Sequence, residues 1–274
     1  LPLNGKVEVT QERLAGGQPA PAGQAAESRS AAGSVYVILP TYNEAENLAE
    51  VVARVLEHPY SVLIVDDDSP DGTGRLAAQL AAEEPRLSVL QRSGKQGLGS
   101  AYAEGFSVAL AAGAEILCEM DADLSHDPDE LPRLIAAVED GAQLAIGSRF
   151  VPGGAIEGWP RRRRFLSRWG NRYARVMLGV PVKDLTSGFR AFRAEALSRL
   201  RADTCRSAGY AFQVEMAWRA HLLDYRITEV PITFRERRRG RSKLDGRIIR
   251  EAMWLVTRWG MGRLLRRRPE GFTA

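Results

Sequence analysis

Cysteine is scarce in this chain: Cys118 and Cys205 are the only two among 274 residues. Their spacing offers neither a disulfide framework nor a zinc site, and both read as free buried thiols of a reducing compartment. Long apolar runs are missing as well. No stretch approaches the roughly 18–20 residues of a membrane-spanning helix, and the start, LPLNGKVEVTQERLAGG, holds no apolar core of a signal peptide. No internal repeat is evident. A nucleotide-binding phosphate loop is excluded, because Gly94-Lys-Gln-Gly-Leu-Gly99 lacks the Gly-Lys-Ser/Thr ending. Gly97 and Gly99 read instead as a loop leading into a helix.

What remains is the composition of an ordinary globular chain, long enough for one large domain or two small ones. The net charge of +4 is modest, but its distribution is not. Arg235 to Arg268 hold thirteen Lys/Arg against three Asp/Glu, and Arg161–Arg164 form a second basic run. Such clusters point to an anionic partner: phosphate, nucleic acid or a membrane surface. The basic clusters lack interleaved aromatics, and no nucleic-acid reader motif occurs, so a basic α/β nucleic-acid-binding protein is the distant alternative.

Residues 1–33 are rich in Ala, Gly, Gln and Pro without periodicity and read as a disordered tail. Order is predicted from Val35, with strands at 35–39, 61–65, 87–90, 115–120 and 143–147. Helices are predicted between them at 73–83, 98–112 and 130–139, and after Asn43, which with Glu46 resembles a capping box. Strand–helix alternation argues for a mostly parallel α/β sheet with helices on both faces. Ligands of such sheets bind beyond the carboxyl ends of the strands. The polar clusters at 40–44, 66–71, 121–126 and 147–149 all fall there. The second half is less regular: a Gly/Pro loop at 151–160, the basic run, a helix near 165–178, a loop at 184–190, helices near 193–200 and 210–222, a strand at 228–234 and a long helix at 245–265.

The segment ILCEMDADLSHDPDEL (116–131) carries the strongest chemical signal. Residues along a strand alternate faces, so Asp121 and Asp123 are expected to point the same way at a strand end. Two unpaired carboxylates repel, and a divalent cation relieves that repulsion while gripping a diphosphate. Ser125 can add an oxygen, whereas His126 suits a cap or supporting role. Pro40-Thr-Tyr-Asn-Glu44 suits clasping a nucleobase or a plain strand-to-helix turn. Asp66–Asp68 suit a ribose, a base or a solvated turn. Arg149 can fork onto a phosphate or lie on the surface. The 161–164 run is a solvated face or, from a loop, a receptor for a phosphorylated acceptor. The five tryptophans read mostly as core or interface anchors. Arg168-Trp169 and Arg258-Trp259 do not complete the Gln-x-x-Arg-Trp box of processive polysaccharide synthases, because Phe165 and Leu255 occupy the Gln positions. The last helix places Ile248, Ile249, Ala252, Leu255, Val256 and Trp259 on one apolar face. That face suits core packing or an interfacial helix on an anionic bilayer, and the basic excess favours the bilayer.

PTYNE (40–44), VDDDSPDGT (65–73), MDADLSHDP (120–128), GSRF (147–150), DLTSGFR (184–190) and FRERRRGRSKL (234–244) follow in order. Together they resemble the family-2 inverting glycosyltransferases and, within them, the dolichol- or polyprenol-phosphate mannose synthases of actinobacterial type. The resemblance implies a GT-A fold, a Rossmann-like mostly parallel sheet with flanking helices and an irregular acceptor-side second half. It divides the chain into the tail at 1–33, the transferase domain at 34–244 and a basic amphipathic helix and tail at 245–274. It implies that Pro40, Tyr42, Glu44, Val65 and Asp67 hold a guanine nucleoside. Asp121, Ala122 and Asp123 would contact GDP-mannose, with Asp123 the principal ligand of Mg2+ or Mn2+. Ser125 stands where some relatives carry a Gln ligand. Arg149, Arg163, Arg237 and Lys243 would bind the donor diphosphate and the phosphate of a polyprenyl acceptor. Some relatives add transmembrane helices, which this sequence does not show, so peripheral attachment to the cytoplasmic side of the plasma membrane is expected, with room for a membrane-anchoring protein partner. A polyprenyl-phosphate hexosyltransferase using a UDP-sugar is the near alternative.

Overall fold

The structure, a computed structural model, describes residues 34–205, 207, 209–236 and 246–265. The tail expected over 1–33, and Arg237 and Lys243, lie outside the described residues. In chain order the first elements are β1 (Val35–Thr41), α1 (Ala45–Leu56), β2 (Ser61–Asp66), α2 (Thr73–Glu83), β3 (Leu87–Gln91), α3 (Leu98–Ala111) and β4 (Ile116–Glu119). Next come α4 (Leu131–Glu139), β5 (Leu144–Ser148), β6 (Ala155–Glu157) and α5 (Arg161–Leu178). The chain continues through β7 (Arg190–Arg193), α6 (Ala194–Leu200), α7 (Tyr210–Leu222), β8 (Ile227–Pro231), β9 (Thr233–Arg235) and α8 (Gly246–Leu264).

Seven strands form one sheet in the order β3-β2-β1-β4-β7-β5-β8, and β6 pairs with β9 apart from it. All pairings in the large sheet are parallel except those of β7, which runs antiparallel between β4 and β5. The sheet is thus mostly parallel, and helices cover both faces. Alternation along β1 divides the core: Val37 and Leu39 pack toward α1 and α4, while Ile38 packs with Tyr102, Phe106 and Phe192. α3 lies close on its face, since a Cβ on Gly105 would come within 2.8 Å of Ile38 Cγ2.

Four expectations change. Asn43 does not cap α1: it sits at φ 57°, and the helix receives its cap from elsewhere. Asp71 Oδ2 accepts from Ala45 N (3.2 Å), and Thr73 Oγ1 accepts from Glu44 N (3.0 Å). The basic run is not a loop, because arginine is a good helix former and Pro160 leads directly into α5. The 228–234 strand divides at Ile232: Pro231 closes β8 at the sheet edge, and β9 turns away to pair with β6. The 184–190 loop ends one residue early, as Arg190 opens β7.

Arg190 is fully buried there. Its guanidinium donates to the carbonyls of Ser187, Leu185 and Gln213, each at 2.8 Å. Burial lowers its pKa to about 10, against the pull of Glu119. Arg190→Met would strand three carbonyls and a buried acid. We expect a loss of about 3–5 kcal/mol in urea unfolding; a loss under about 1 kcal/mol would contradict this bracing role.

Candidate active site

β1 and β2 end side by side, with Pro40 opposite Val65 and Thr41 opposite Asp66. Their following loops are locked together by Asp66, which is fully buried. It accepts from Thr41 Oγ1 (2.9 Å), Ser69 N (3.0 Å), Ser69 Oγ (2.6 Å) and Gln91 Nε2 (2.9 Å). Asp66 therefore builds the loop, as an Asx turn does. Asp67 instead faces the cleft, and an ion pair with Arg92 holds it. Arg92 is braced by Ser100 (2.7 Å) and Glu104 (3.0 Å) of α3. Asp68 is exposed at φ 56°.

A cavity of about 640 Å3 opens at this carboxyl edge. Pro40, Tyr42, Glu44, Asp67, Asp121, Ala122, Asp123, Ser125, Arg149 and Arg163 all line it. The structure thus gathers the described candidates from five separate segments. Val65 is the exception: its side chain lies in the core beneath α3.

Asp121 and Asp123 share the cleft for a reason other than strand alternation. β4 ends at Glu119, and both acids lie in the turn that follows, where Leu124 takes φ 59°. Asp123 is buried and accepts from Ser125 N (2.9 Å), while Asp121 is about a third exposed. His126 supports the turn from below. Its Nδ1 accepts from Asp121 N (3.4 Å), and its ring stacks on Phe189 at 5.0 Å.

These residues fit a hard divalent cation. The donors are oxygens, and Ser125 Oγ is buried with no hydrogen-bond partner. Among the described residues no cluster of three His, Cys, Asp or Glu side chains surrounds the pair. Two carboxylates are a partial ligand set, of the kind that phosphate oxygens complete at nucleotide sites.

Arg149 is not a surface residue. Its Nε and Nη2 donate to Asp184 at 2.7 and 2.6 Å, its Nη2 reaches Thr186 Oγ1 (2.9 Å), and its backbone N also donates to Asp184 (2.9 Å). Burial alone would lower its pKa, but the Asp184 carboxylate outweighs that and raises it. Arg163, in the first turn of α5, lies over the Trp159 ring at 4.0 Å and donates to Glu236 (3.0 Å). The other arginines of the run are exposed.

Several lining residues carried no signal of their own in the sequence. Lys95, over the Tyr42 ring at 4.2 Å, sits in the segment rejected as a phosphate loop. Thr186 and Gly188 belong to the DLTSGFR segment, whose individual residues had no assigned task. Trp159, Tyr210 and Gln213 come from the second half and reach the cleft only through tertiary packing.

A second, apolar groove of about 130 Å3 runs between α5 and α8. It shares Arg149, Trp159, Arg163, Thr186 and Tyr210 with the cleft and continues past Leu166, Trp169, Met253 and Val256. Of the apolar stripe expected on α8, the side chains of Ile248 and Ile249 lie outside the described ones; the rest is the packed side, with Val256 buried and Trp259 meeting Trp218 at 5.6 Å. Other side chains are the exposed ones. Phe165 (71%), Leu166, Trp169 and Val176 of α5, and Trp254 (59%) and Met261 of α8, face solvent.

The mostly parallel sheet, with paired acids beyond its carboxyl edge, is matched by a known transferase family. Residues 36–201 match the profile of Glycosyl transferase family 2, and the chain belongs to that family. It is 52% identical over 237 residues to a polyprenol monophosphomannose synthase of Mycolicibacterium smegmatis, covering 85% of this chain and 89% of the relative. It is 51% identical over 229 residues to an undecaprenyl-phosphate mannosyltransferase of Micrococcus luteus, covering 83% and 94%. Its likeness is therefore to the polyprenol- and dolichol-phosphate mannose synthases. Among solved structures, a mannosyltransferase of Pyrobaculum calidifontis in complex with GDP-Man and Mn2+ aligns with a TM-score of 0.57 at 21% identity, covering 86% of this chain and 65% of that one. Glucosyl-3-phosphoglycerate synthase of Mycobacterium tuberculosis, with Mn2+ and UDP, aligns at 0.57 and 20%, covering 87% and 82%. These two establish the fold as that of GT-A glycosyltransferases.

The carboxylate pair is testable without turnover. Asp121→Asn and Asp123→Asn should each weaken retention of Mn2+ by the protein–GDP complex at least about tenfold by electron paramagnetic resonance, with the larger loss for Asp123. Wild-type retention in both would remove the pair from the metal site.

Proposed function

We propose that the protein transfers mannose from GDP-mannose to a polyprenyl phosphate with inversion, yielding a polyprenyl β-mannosyl phosphate. That product is a lipid-linked mannose donor for glycolipid or protein glycosylation. The observation that carries this reading is the junction of two cavities at Arg149, Trp159, Arg163, Thr186 and Tyr210. A polar cleft with a carboxylate pair suits a sugar nucleotide. An apolar groove that begins at two arginines suits a lipid whose head is a phosphate.

The chemistry asks little of a protein base. The acceptor's phosphate monoester loses its second proton near pH 6 and is largely dianionic at neutral pH. One of its oxygens forms the bond to the anomeric carbon as the bond to the diphosphate oxygen breaks, and GDP departs. A bound Mg2+ or Mn2+ would neutralise charge on the diphosphate and would be held by Asp121, Asp123 and Ser125. Pro40, Tyr42, Glu44 and Asp67 form the nucleoside end. Arg163, with Arg149 braced behind it, draws the acceptor phosphate into line. Arg237 and Lys243 complete this reading as phosphate-binding residues of the segment after β9.

Exposed aromatics beside the arginines of α5 and α8 favour peripheral contact with an anionic bilayer, which would present the acceptor directly to the groove. The cytoplasmic face of the plasma membrane and a protein anchor there belong to the same proposal.

One vesicle experiment tests it. With labelled GDP-mannose and polyprenyl phosphate in anionic vesicles, label should enter the lipid fraction, and EDTA should abolish the transfer. GDP should inhibit more strongly than UDP, and the protein should sediment with the vesicles at low salt. No labelled lipid would refute the activity, and stronger inhibition by UDP would replace mannose with a UDP-sugar. Protein left in the supernatant would refute membrane contact.

A further inference from the structure

The floor of the cleft holds polar groups that the protein does not satisfy. Gln213, on α7, lines the cleft and is 2% exposed, yet both its amide atoms lack a hydrogen-bond partner. Both oxygens of fully buried Glu119 and the hydroxyl of Tyr102 are likewise unpartnered. Burial pushes the Glu119 carboxyl up to about 7; the nearby Gln213 amide only partly offsets that, and its geometry completes no hydrogen bond there. An unpaired buried amide is costly, and such groups gather where a ligand supplies the partner.

The space in front of Gln213 is also defined. Gly188 belongs to the DLTSGFR loop, and its backbone does not take a positive φ, so its missing side chain concerns room rather than conformation. A Cβ there would stand 3.8 Å from Gln213 Nε2 and 3.8–3.9 Å from the two carboxylate oxygens of Asp121. Gly188 thus leaves a recess shared by one amide and one carboxylate. The chain cannot loosen this wall easily, because Arg190 donates to the Gln213 carbonyl at 2.8 Å.

The charges around the recess select its occupant. The Gln213 amide carries no charge to hold a phosphate, whereas the acid pair with a bound cation, Arg149 and Arg163 would give phosphates their places elsewhere in the same cleft. A neutral hydroxyl, which donates and accepts at once, suits an amide that does the same. We propose that Gln213 is a positioning and specificity residue whose amide hydrogen-bonds a hydroxyl of the transferred hexose in the recess over Gly188.

This rests on the transferase reading above, and the test separates the two. Gln213→Leu keeps the volume and removes both hydrogen-bonding atoms. The variant should bind GDP with wild-type affinity by calorimetry, while kcat/KM for GDP-mannose falls about 10- to 100-fold. Among donors lacking single sugar hydroxyls, one should be discriminated against by the wild type but not by the variant. Gln213→Asn should fall between the two. A wild type that transfers mannose beside a variant of undiminished kcat/KM would overturn the role of Gln213 alone. A variant that loses against every deoxy donor equally would do the same, because a structural or water-binding amide has no preferred hydroxyl. A wild type that binds GDP but transfers no mannose would instead sink the parent reading.

Discussion

The buried pair of Arg149 and Asp184 is the joint on which the acceptor side depends. Asp184 takes three hydrogen bonds from Arg149, and its own backbone N donates to Glu229 of β8 at 3.0 Å. Glu229 also accepts from Ser148 of β5 at 2.7 Å. One residue further, Leu185 N donates to Asn171 of α5 at 2.7 Å. A single loop is therefore tied to two strands and to the helix that carries Arg163. Losing one partner would leave an uncompensated charge in the interior, which is why such pairs hold geometry even where their net stabilisation is small. The arginine thus reaches the cleft as a braced edge rather than a mobile chain, which suits aligning a phosphate.

Both signs of charge line the cleft. Asp121 and Asp123 share it with Arg149 and Arg163, and Asp121 is near enough to Arg149 to favour its charge. A donor with a diphosphate and a neutral sugar, meeting an acceptor with a phosphate and an apolar tail, suits that mixed lining and the groove that joins it. The protein's contribution on this account is placement and electrostatics, with the attacking charge brought by the acceptor itself.

Much of this was legible in the sequence, where local pattern and tertiary outcome agree. Apolar runs ending in polar clusters located five strands of the sheet and the edge at which the candidate cleft opens. What failed did so because distant partners intervened. Asn43 looked like a cap, but Asp71 and Thr73 from the next loop took that task. Asp121 and Asp123 converge through a turn, not through the alternation that suggested them. β7 runs backwards between two parallel strands, and no local pattern announces that. Gln213 was invisible because an amide inside an apolar helix is notable only when its unpaired atoms face a cavity. The described part of the stripe on α8 is its packed side; the aromatics left in solvent lie elsewhere on α5 and α8.

The central claim is direct attack by the acceptor phosphate in a site that supplies no nucleophile of its own. The configuration of the product tests it most directly. Nuclear magnetic resonance of the polyprenyl mannosyl phosphate made from the α-linked donor should show the β anomer alone. An α product would mean net retention, which a single in-line displacement cannot give, and would contradict the account.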